Sequence, residues 1–509
     1  MIERLNRWLE GRSAPALFGL VSALALWWTW GSLNPVEVIH DETAYLLQAG
    51  LLAHGHLVGP ARPIPAFFEQ FQVFAEPAVT AKYPLGFPLA LVPGVWLDLP
   101  GLVPVLLIGI TGALVFALGR RIASPAVGLL AWALWFVAPG SIPFRQLLMS
   151  ETLTTALWLG GWWCVLEWKE RGSTRWLVGF TACAAWCVIT RPLTGAAYGA
   201  MTGIAVLWIA FREGRTGQLA PATGIAVLIL GILPLQNWMV TGSWDETAWT
   251  RYTREYAPSD HFGFGSDSTP PLRALPPDFG DYVWYYGEFH KDFTPARAPH
   301  FFVERGAKVL EDAWGPAAPV AAIVAGLGLA SAGAPLLVAC ATALLLLLLH
   351  LGFAHPPEWS IYYEETLPVI TMLTAVGARR VLALLRPAFR TPIVGMLALL
   401  LAAEGVYHTR EARVNYRLLS EYHRAFRARV AALPGRPLVF VRYARNHIFH
   451  RSLISNPGDL ATARAWIVYD MGPQNIHLLA ITPGRVPWIY FEHGDSLRAW
   501  TAADTVNGR

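Results

Sequence analysis

The sequence predicts an all-α polytopic membrane protein, with about eleven transmembrane helices and a small C-terminal α/β extracytoplasmic domain. Three observations carry that expectation. Residues are 54% hydrophobic and only 15% charged, with a mean hydropathy of +0.39, whereas a soluble domain is roughly 25% charged. Apolar runs of about 20 residues, the length that crosses a bilayer, recur along the chain. Arginines gather in alternate gaps between those runs. This composition excludes disorder and argues against a soluble enzyme. The 23 tryptophans fit the same picture, since an indole suits the interface where its ring meets lipid and its N–H meets water.

The first span is expected from Ala14 to Leu33, behind Arg4, Arg7 and Arg12. It ends in Trp27, Trp28 and Trp30 and not in the small residues of a signal-peptidase site, so it reads as a retained anchor. Further spans are expected near 86–119, long or broken, and at 124–141, 150–168, 176–190, 193–211, 220–240, 315–331, 334–353, 362–378 and 391–407. A cytoplasmic N-terminus puts Arg120 and Arg121, then Lys169, Arg171 and Arg175, then Arg212 and Arg215, then Arg379, Arg380, Arg386 and Arg390 on one side, as the positive-inside rule requires.

The same counting sends loop 34–85, turn 141–151, loop 241–312 and the tail from about 409 to the other side. Residues 1–408 form the expected membrane domain and 409–509 the small outward one. The tail opens on a basic stretch with Leu418, Leu419, Tyr422, Phe426 and Val430 at helical spacing. Short β-like runs follow at Leu438–Val441, Trp466–Tyr469 and Trp488–Phe491, separated by Gly, Pro and Asn. No internal repeat is evident in the helices, which counts against an inverted-repeat transporter.

Formal net charge is +4, but its arginines mark topology and not a nucleic-acid surface. Cys164, Cys183, Cys187 and Cys340 lie inside apolar runs, with neither a disulfide framework nor zinc spacing, and Cys183 and Cys187, which share a helix face, read as two small buried hydrophobes. His261, His290 and His300 are too irregularly spaced for a metal site, and His350 reads as a boundary residue.

The motif that points most directly to chemistry is His40-Asp41-Glu42, just after the first span. Two adjacent carboxylates at the interface fit either an active site or a solvated helix start with Asp41 near an N-cap. The same loop closes with Lys82-Tyr83-Pro84-Leu85-Gly86, which adds a cation and a Pro-restricted turn at the mouth of the next span. The second outward turn carries Arg145 and Glu151, the latter equally suited to balancing a helix dipole. Arg191-Pro192 falls at an outward turn, against the positive-inside rule, where a phosphate or a lipid headgroup would hold it. Loop 241–312 holds Trp249, Tyr252, Tyr256, Phe262, Phe264, Trp284, Tyr285 and Tyr286, whose faces suit sugar rings or an interfacial helix. Asp470, Gln474 and Asn475 at a strand end fit turn chemistry.

In this order and with this sidedness, Asp41-Glu42, Lys82-Tyr83-Pro84, Glu151, Arg191-Pro192 and Tyr362-Tyr363-Glu364 ahead of Leu367-Pro368 resemble the GT-C superfamily of polyprenyl-phosphate-dependent glycosyltransferases. The likeness spans roughly residues 14–410 and is to the protein O-mannosyltransferase and aminoarabinose-transferase branch. It implies a GT-C-like fold in the plasma membrane with an extracytoplasmic site. It also implies transfer of a sugar from a polyprenyl-phosphate donor to an acceptor hydroxyl on a glycan, lipid or protein of the cell envelope. Asp41 would be the catalytic base, with Glu42 and Glu151 as catalytic neighbours. Lys82, Arg191 and Arg145 would bind the donor phosphate, and Tyr83, Tyr362, Tyr363 and Glu364 the substrate. Some relatives carry an acid immediately before the lysine, where this chain has Ala81, so a divalent metal stays open and its ligands unknown. Two alternatives stand beside this reading: an oligosaccharide ligase with a diphosphate donor, and a non-enzymatic transporter or complex subunit. A transporter would set its ionisable residues near the bilayer midplane, whereas here they gather at one face.

Overall fold

The computed structural model describes residues 7–505, so Arg4 of the basic N-terminal flank and the last four residues of the tail lie outside the described residues. Every expected apolar stretch is helical. Among the described residues seven helical segments are long and apolar enough to cross a membrane: Leu102–Ile122, Pro192–Arg212, Thr216–Thr241, Pro295–Leu329, Ala334–Gly352, Ser360–Leu384 and Pro387–Ala432. The remaining expected spans fall on Ala14–Trp30, Pro125–Phe136, Glu151–Arg171 and Thr174–Val188. The run 86–119 is broken into Gly86–Trp96 and Leu102–Ile122, parted where Asp98 takes a φ of 56° and Pro100 follows. Pro387–Ala432 extends the span expected at 391–407 straight through the basic stretch read as the start of the tail. No proline stands between Pro392 and Pro434, so beyond Pro392 no missing N–H interrupts its backbone ladder.

The chain divides into two compact units. Unit 1 comprises residues 1–33, 101–233 and 294–416. Its helix ends follow local chemistry: Ser124 Oγ accepts from the Val127 N–H at 3.3 Å with Pro125 at the first helical position, and Gly31, at φ 71°, closes Ala14–Trp30 by donating to Trp27 O at 2.8 Å. Ala14–Trp30 packs on Leu102–Ile122, Glu151–Arg171 on Thr174–Val188, and Ala318–Leu329 on Leu367–Leu384. The last pair meets at Gly328 and Gly377, where a Cβ would collide with the carbonyls of Leu373 and Val324. Small residues thus bring two backbones together where lipid offers no hydrophobic driving force between helices. Val227, Leu228, Ile323 and Leu399 are exposed on unit 1, as lipid-facing positions would be.

Unit 2 comprises residues 34–100, 234–293 and 417–509. Its first segment carries helix His40–Ala53 and a three-stranded antiparallel sheet of β1 (Gly59–Pro60), β2 (Val73–Phe74) and β3 (Ala78–Ala81) in the order β1-β3-β2. The expected β-like runs form β4 (Pro437–Arg442), β5 (Trp466–Tyr469) and β6 (Val486–Phe491), and β7 (Ser496–Ala499) adds a fourth strand. The sheet order is β5-β4-β6-β7, parallel except for the last strand, and helix Asn475–Ile481 lies between β5 and β6 in sequence. Leu438, Phe440, Val468, Leu478 and Ile489 form its core together with Phe67 and Phe68 of the first loop. The α/β tail is therefore packed against that loop, and Arg62 fastens the two by donating to Pro457 O at 2.8 Å. Loop 241–312 contributes helices Ala248–Tyr256 and Pro277–Lys291. Asp470 pairs with Arg442 and accepts from Gly472 N–H and Asn475 Nδ2 at 3.1 and 2.6 Å, so Asp470 and Asn475 build the turn after β5.

Asp278, at the start of Pro277–Lys291, accepts from the Tyr469 hydroxyl at 2.8 Å and is buried. Burial pushes its carboxyl up to about 6, against the hydrogen bond from Tyr469 and the charge of His447. Because the folded-state value lies above the unfolded 3.8, this group favours the fold fully below about pH 4 and loses that contribution as the pH rises through about 6. Asp278→Asn should remove this pH dependence, making the variant about 2–3 kcal/mol more stable than wild type above pH 7. Thermal melts of both proteins from pH 5 to 8 check this, and parallel pH profiles would refute it.

Candidate functional site

In unit 2 the residues expected at a catalytic centre come together around the first turn of His40–Ala53. Glu42 is buried and its Oε2 accepts from Val38 N–H at 2.7 Å and Ile39 N–H at 3.0 Å, which caps the helix. Of the adjacent carboxylates, Asp41 is the one that reaches the surroundings, with its side chain 22% exposed. The Tyr83 hydroxyl donates to Asp41 Oδ1, and His40 Nε2 lies 3.2 Å from Oδ2. Burial alone would raise the Asp41 pKa, but His40, the Tyr83 hydrogen bond, Lys82 and His450 outweigh it and hold the carboxyl below its ordinary range. Burial lowers the His40 pKa, and its ring stacks on His450 at 5.1 Å and packs against Phe71.

The position of Lys82 and Tyr83 follows from a buried amide. Gln48 Oε1, on the helix that carries Asp41, accepts from Ala81 N–H and Thr80 Oγ1, both at 2.9 Å, and Nε2 donates to Leu57 O at 2.8 Å. This pins β3 to the helix, so the two residues after Ala81 are delivered to Asp41. Lys82 is buried; Nζ lies 3.5 Å from Asp260 Oδ2 and 5.1 Å from the centre of the Tyr252 ring. Asp260 also accepts from the Tyr282 hydroxyl at 3.1 Å, and burial raises its pKa against these partners. The Tyr252 hydroxyl accepts from Gln72 N–H at 2.9 Å. Around Asp41 thus stand its own partly exposed carboxylate, the buried pair of Lys82 and Asp260, and several tyrosines.

Sequence reasoning missed Asp260, Gln48 and Gln72, and it had no signal for them. A lone Asp after Pro258-Ser259 and two glutamines in ordinary contexts acquire meaning only through partners far along the chain. The aromatic loop needs a correction as well. Tyr252 and Tyr256 are fully buried and stack on each other at 4.3 Å, so they build the wall and present no free face to a sugar; Phe262 and Trp284 stay exposed.

The other expected site residues lie in unit 1. Arg191 NH1 meets Glu151 Oε2 at 2.8 Å, and its Nε lies 3.8 Å from Glu365 Oε1, which also accepts from Thr154 Oγ1. Arg145 Nε meets Glu364 Oε1 at 3.2 Å, Ser141 donates to the same oxygen, and the guanidinium lies 4.2 Å from the centre of the Trp135 ring. The Tyr362 ring faces Arg191 at 5.5 Å, and the Tyr363 hydroxyl meets His355 Nε2 at 2.9 Å. Arg305 binds the carbonyls of His350, Phe353 and His355 at 2.7, 3.0 and 3.0 Å, fixing the segment that precedes these tyrosines. Glu365, the third carboxylate of the group, was not singled out from the sequence. Its neighbour Glu364 was, and a 3-10 segment, Ser360–Thr366, turns the two to different arginines.

Among the described residues no three His, Cys, Asp or Glu side chains gather as a metal ion would need. His261 and His290 do meet, with rings 4.3 Å apart, but His290 Nδ1 is engaged with Gly265 O at 2.8 Å. The side chains present do not fit a divalent ion, and the chemistry argued below is theirs alone. The four cysteines are free; Cys187 is buried as expected, whereas Cys183, expected to be buried beside it, is half-buried, as are Cys164 and Cys340.

No protein-family model matches this chain, and no curated protein matches its sequence. Among solved structures it is similar to ArnT, an aminoarabinose transferase, from Cupriavidus metallidurans. Against the crystal structure bound to undecaprenyl phosphate the TM-score is 0.55 at 13% identity, covering 94% of this chain and 93% of that one. Against the apo crystal structure it is 0.52 at 14% identity, covering 93% and 92%. At such identity the likeness is one of fold. The shared fold agrees with the mostly helical architecture and small C-terminal sheet expected from the sequence.

The Arg191 group yields a stability prediction. Arg191→Met leaves Glu151 and Glu365 buried without their cation, which should cost about 3–5 kcal/mol. Adding Glu151→Gln and Glu365→Gln should restore most of the loss. Thermal unfolding of the purified variants reads this out; a single variant as stable as wild type would show that the ion pairs carry little.

Proposed function

We propose that this chain is a membrane glycosyltransferase that moves a sugar from a polyprenyl-phosphate donor to the hydroxyl of an extracytoplasmic acceptor, with Asp41 as the base. The observation that carries the reading is a partly exposed Asp41, its carboxyl held below the ordinary range in part by the charge of the nearby buried Lys82, on a fold shared with a transferase whose crystal structure holds undecaprenyl phosphate. The site then faces outward across the plasma membrane, with loops 34–85 and 241–312 and the tail from 409 on the same side, as arginine placement in the cytoplasmic turns favours.

The chemistry asks little else of the protein. The acceptor oxygen forms a bond to the anomeric carbon as Asp41 takes its proton, a positioned base contributing about 10²- to 10⁴-fold. The bond from that carbon to the phosphate oxygen breaks, and the electron pair leaves with the polyprenyl phosphate. Charge grows on that phosphate, so a preorganised cation in a water-poor site stabilises the transition state, which is the part assigned to Lys82. Asp260 and the Tyr252 ring hold Lys82 in place before the donor arrives. The Tyr83 hydroxyl fixes Asp41 Oδ1, and Oδ2, 3.2 Å from His40 Nε2, is the oxygen that meets the acceptor. A single displacement of this kind inverts the anomeric centre. In this reading Arg145 and Arg191, each held by buried carboxylates, serve mainly to hold their own helices.

Purified protein in nanodiscs, given a panel of radiolabelled polyprenyl-phosphate sugars, should transfer or slowly hydrolyse one of them. Asp41→Asn should lower turnover about 10²- to 10⁴-fold with binding retained, and Lys82→Ala should weaken donor binding and turnover together. Full activity in Asp41→Asn sinks the assignment of the base. Turnover of a diphosphate-linked donor instead would make the chain an oligosaccharide ligase, and none at all from folded protein would favour the non-enzymatic alternative. A second test uses pH. Asp41 must be ionised to act, so activity falls as the pH drops through its depressed pKa, and Tyr83→Phe should move that acid limb to higher pH by removing the hydrogen bond that favours the charged form. An unmoved limb would mean that some other group sets it.

A further inference from the structure

Unit 2 contains a cavity of about 340 Å³ that the chemistry above does not use. It is lined by Thr43, Leu46 and Leu47 of His40–Ala53, by residues of the last turns of Pro387–Ala432, and by the segment that leads from Ser452 towards β5. At about 100° per residue, positions 43, 46 and 47 stand roughly 140–240° around the helix from Asp41. The cavity therefore lies on the opposite face of the helix from the carboxylate. Its volume is that of a small-molecule site, which ranges over about 300–1,000 Å³.

The chemistry of the lining selects among ligands. At one side Glu37 pairs with Arg427, so the cavity offers a carboxylate acceptor and guanidinium donors with their charges balanced. A phosphate would meet Glu37 and an ammonium would meet Arg427, which disfavours both ions. His423 also lines the cavity; it is only 5% exposed, and its Nε2 has no hydrogen-bond partner among the described residues. A neutral ring at this position offers one donor and one acceptor. Phe426 and Leu47 supply an apolar wall. Groups that donate and accept side by side, next to an apolar surface, match a ring that carries hydroxyls at its rim and C–H groups on its face.

The cavity is also built in advance. Asn456 clamps the rim by donating to Ile467 O at 2.7 Å and accepting from Ile467 N–H at 3.0 Å, and the Tyr443 hydroxyl holds Leu453 N–H at 2.7 Å. Little ordering remains to be done on binding.

We propose that this cavity is a second binding site, separate from the Asp41 pocket, for a neutral saccharide ring. The site goes beyond the transferase reading and does not require it, since binding is measured without turnover.

The test uses the full chain in phospholipid nanodiscs, because alkyl-glycoside detergents carry the ligand class themselves. Saturation-transfer NMR and calorimetric titration with mannose, glucose, N-acetylglucosamine and maltose should find saturable binding of at least one. Ser455→Trp, which fills the cavity from a half-buried position, and His423→Phe, which keeps the ring and removes its nitrogens, should each weaken that binding at least tenfold. Asp41→Asn should leave it unchanged. No saturable binding of any probe by folded protein overturns the proposal, as does binding that survives both cavity variants. Loss in Asp41→Asn alone would assign the saccharide to the other face of the helix and overturn it equally. A transferase failure shows instead as intact saccharide binding without donor turnover.

Discussion

A backbone that crosses hydrocarbon must satisfy its N–H and C=O groups within itself, and this constraint shapes the whole chain. It makes the apolar stretches helices and leaves polar chemistry to the segments between them. In unit 1 the consequence is visible at its exceptions. Glu151, Glu364 and Glu365 are buried, and each is bound to a guanidinium or a hydroxyl. Arg305, buried as well, binds three carbonyls left open where the helix ending at Leu349 gives way to irregular backbone. Every such group costs free energy unless paired, so the pairs fix which helix ends meet.

Unit 2 solves a different problem, that of holding a partly exposed carboxylate and a buried lysine near each other on segments with little regular structure. Gln48 does most of this. One amide, fully buried and bonded on both its atoms, ties helix to strand and so sets where Lys82 and Tyr83 emerge. The first loop is in turn braced by the tail, since Phe67 and Phe68 complete the core of the C-terminal sheet. An α/β tail packed in this way is a support for the Asp41 pocket, whatever else it binds.

Much of the candidate site was legible in the sequence because charge is conspicuous in a chain this apolar. His40-Asp41-Glu42 and Lys82-Tyr83 stand out for that reason, and the structure brings Asp41, Lys82 and Tyr83 together. The division of labour within the first motif was not legible. Which of two adjacent carboxylates caps the helix and which faces outward depends on where the chain enters, and Val38 and Ile39 decide it by donating to Glu42. Asp260 was invisible for a related reason: it lies 178 residues from the lysine it pairs with, and no local pattern announces such a partner.

The sequence by itself determined the helices and three of the four strands of the tail, since these follow from hydropathy and alternation, both local or nearly so. It could not determine that the tail helix continues unbroken to Ala432, nor that Tyr252 and Tyr256 are wall and not platform. The tertiary structure decided those, along with every long-range pair. Hydrophobicity says that a side chain will be buried, but only the packed chain says against what.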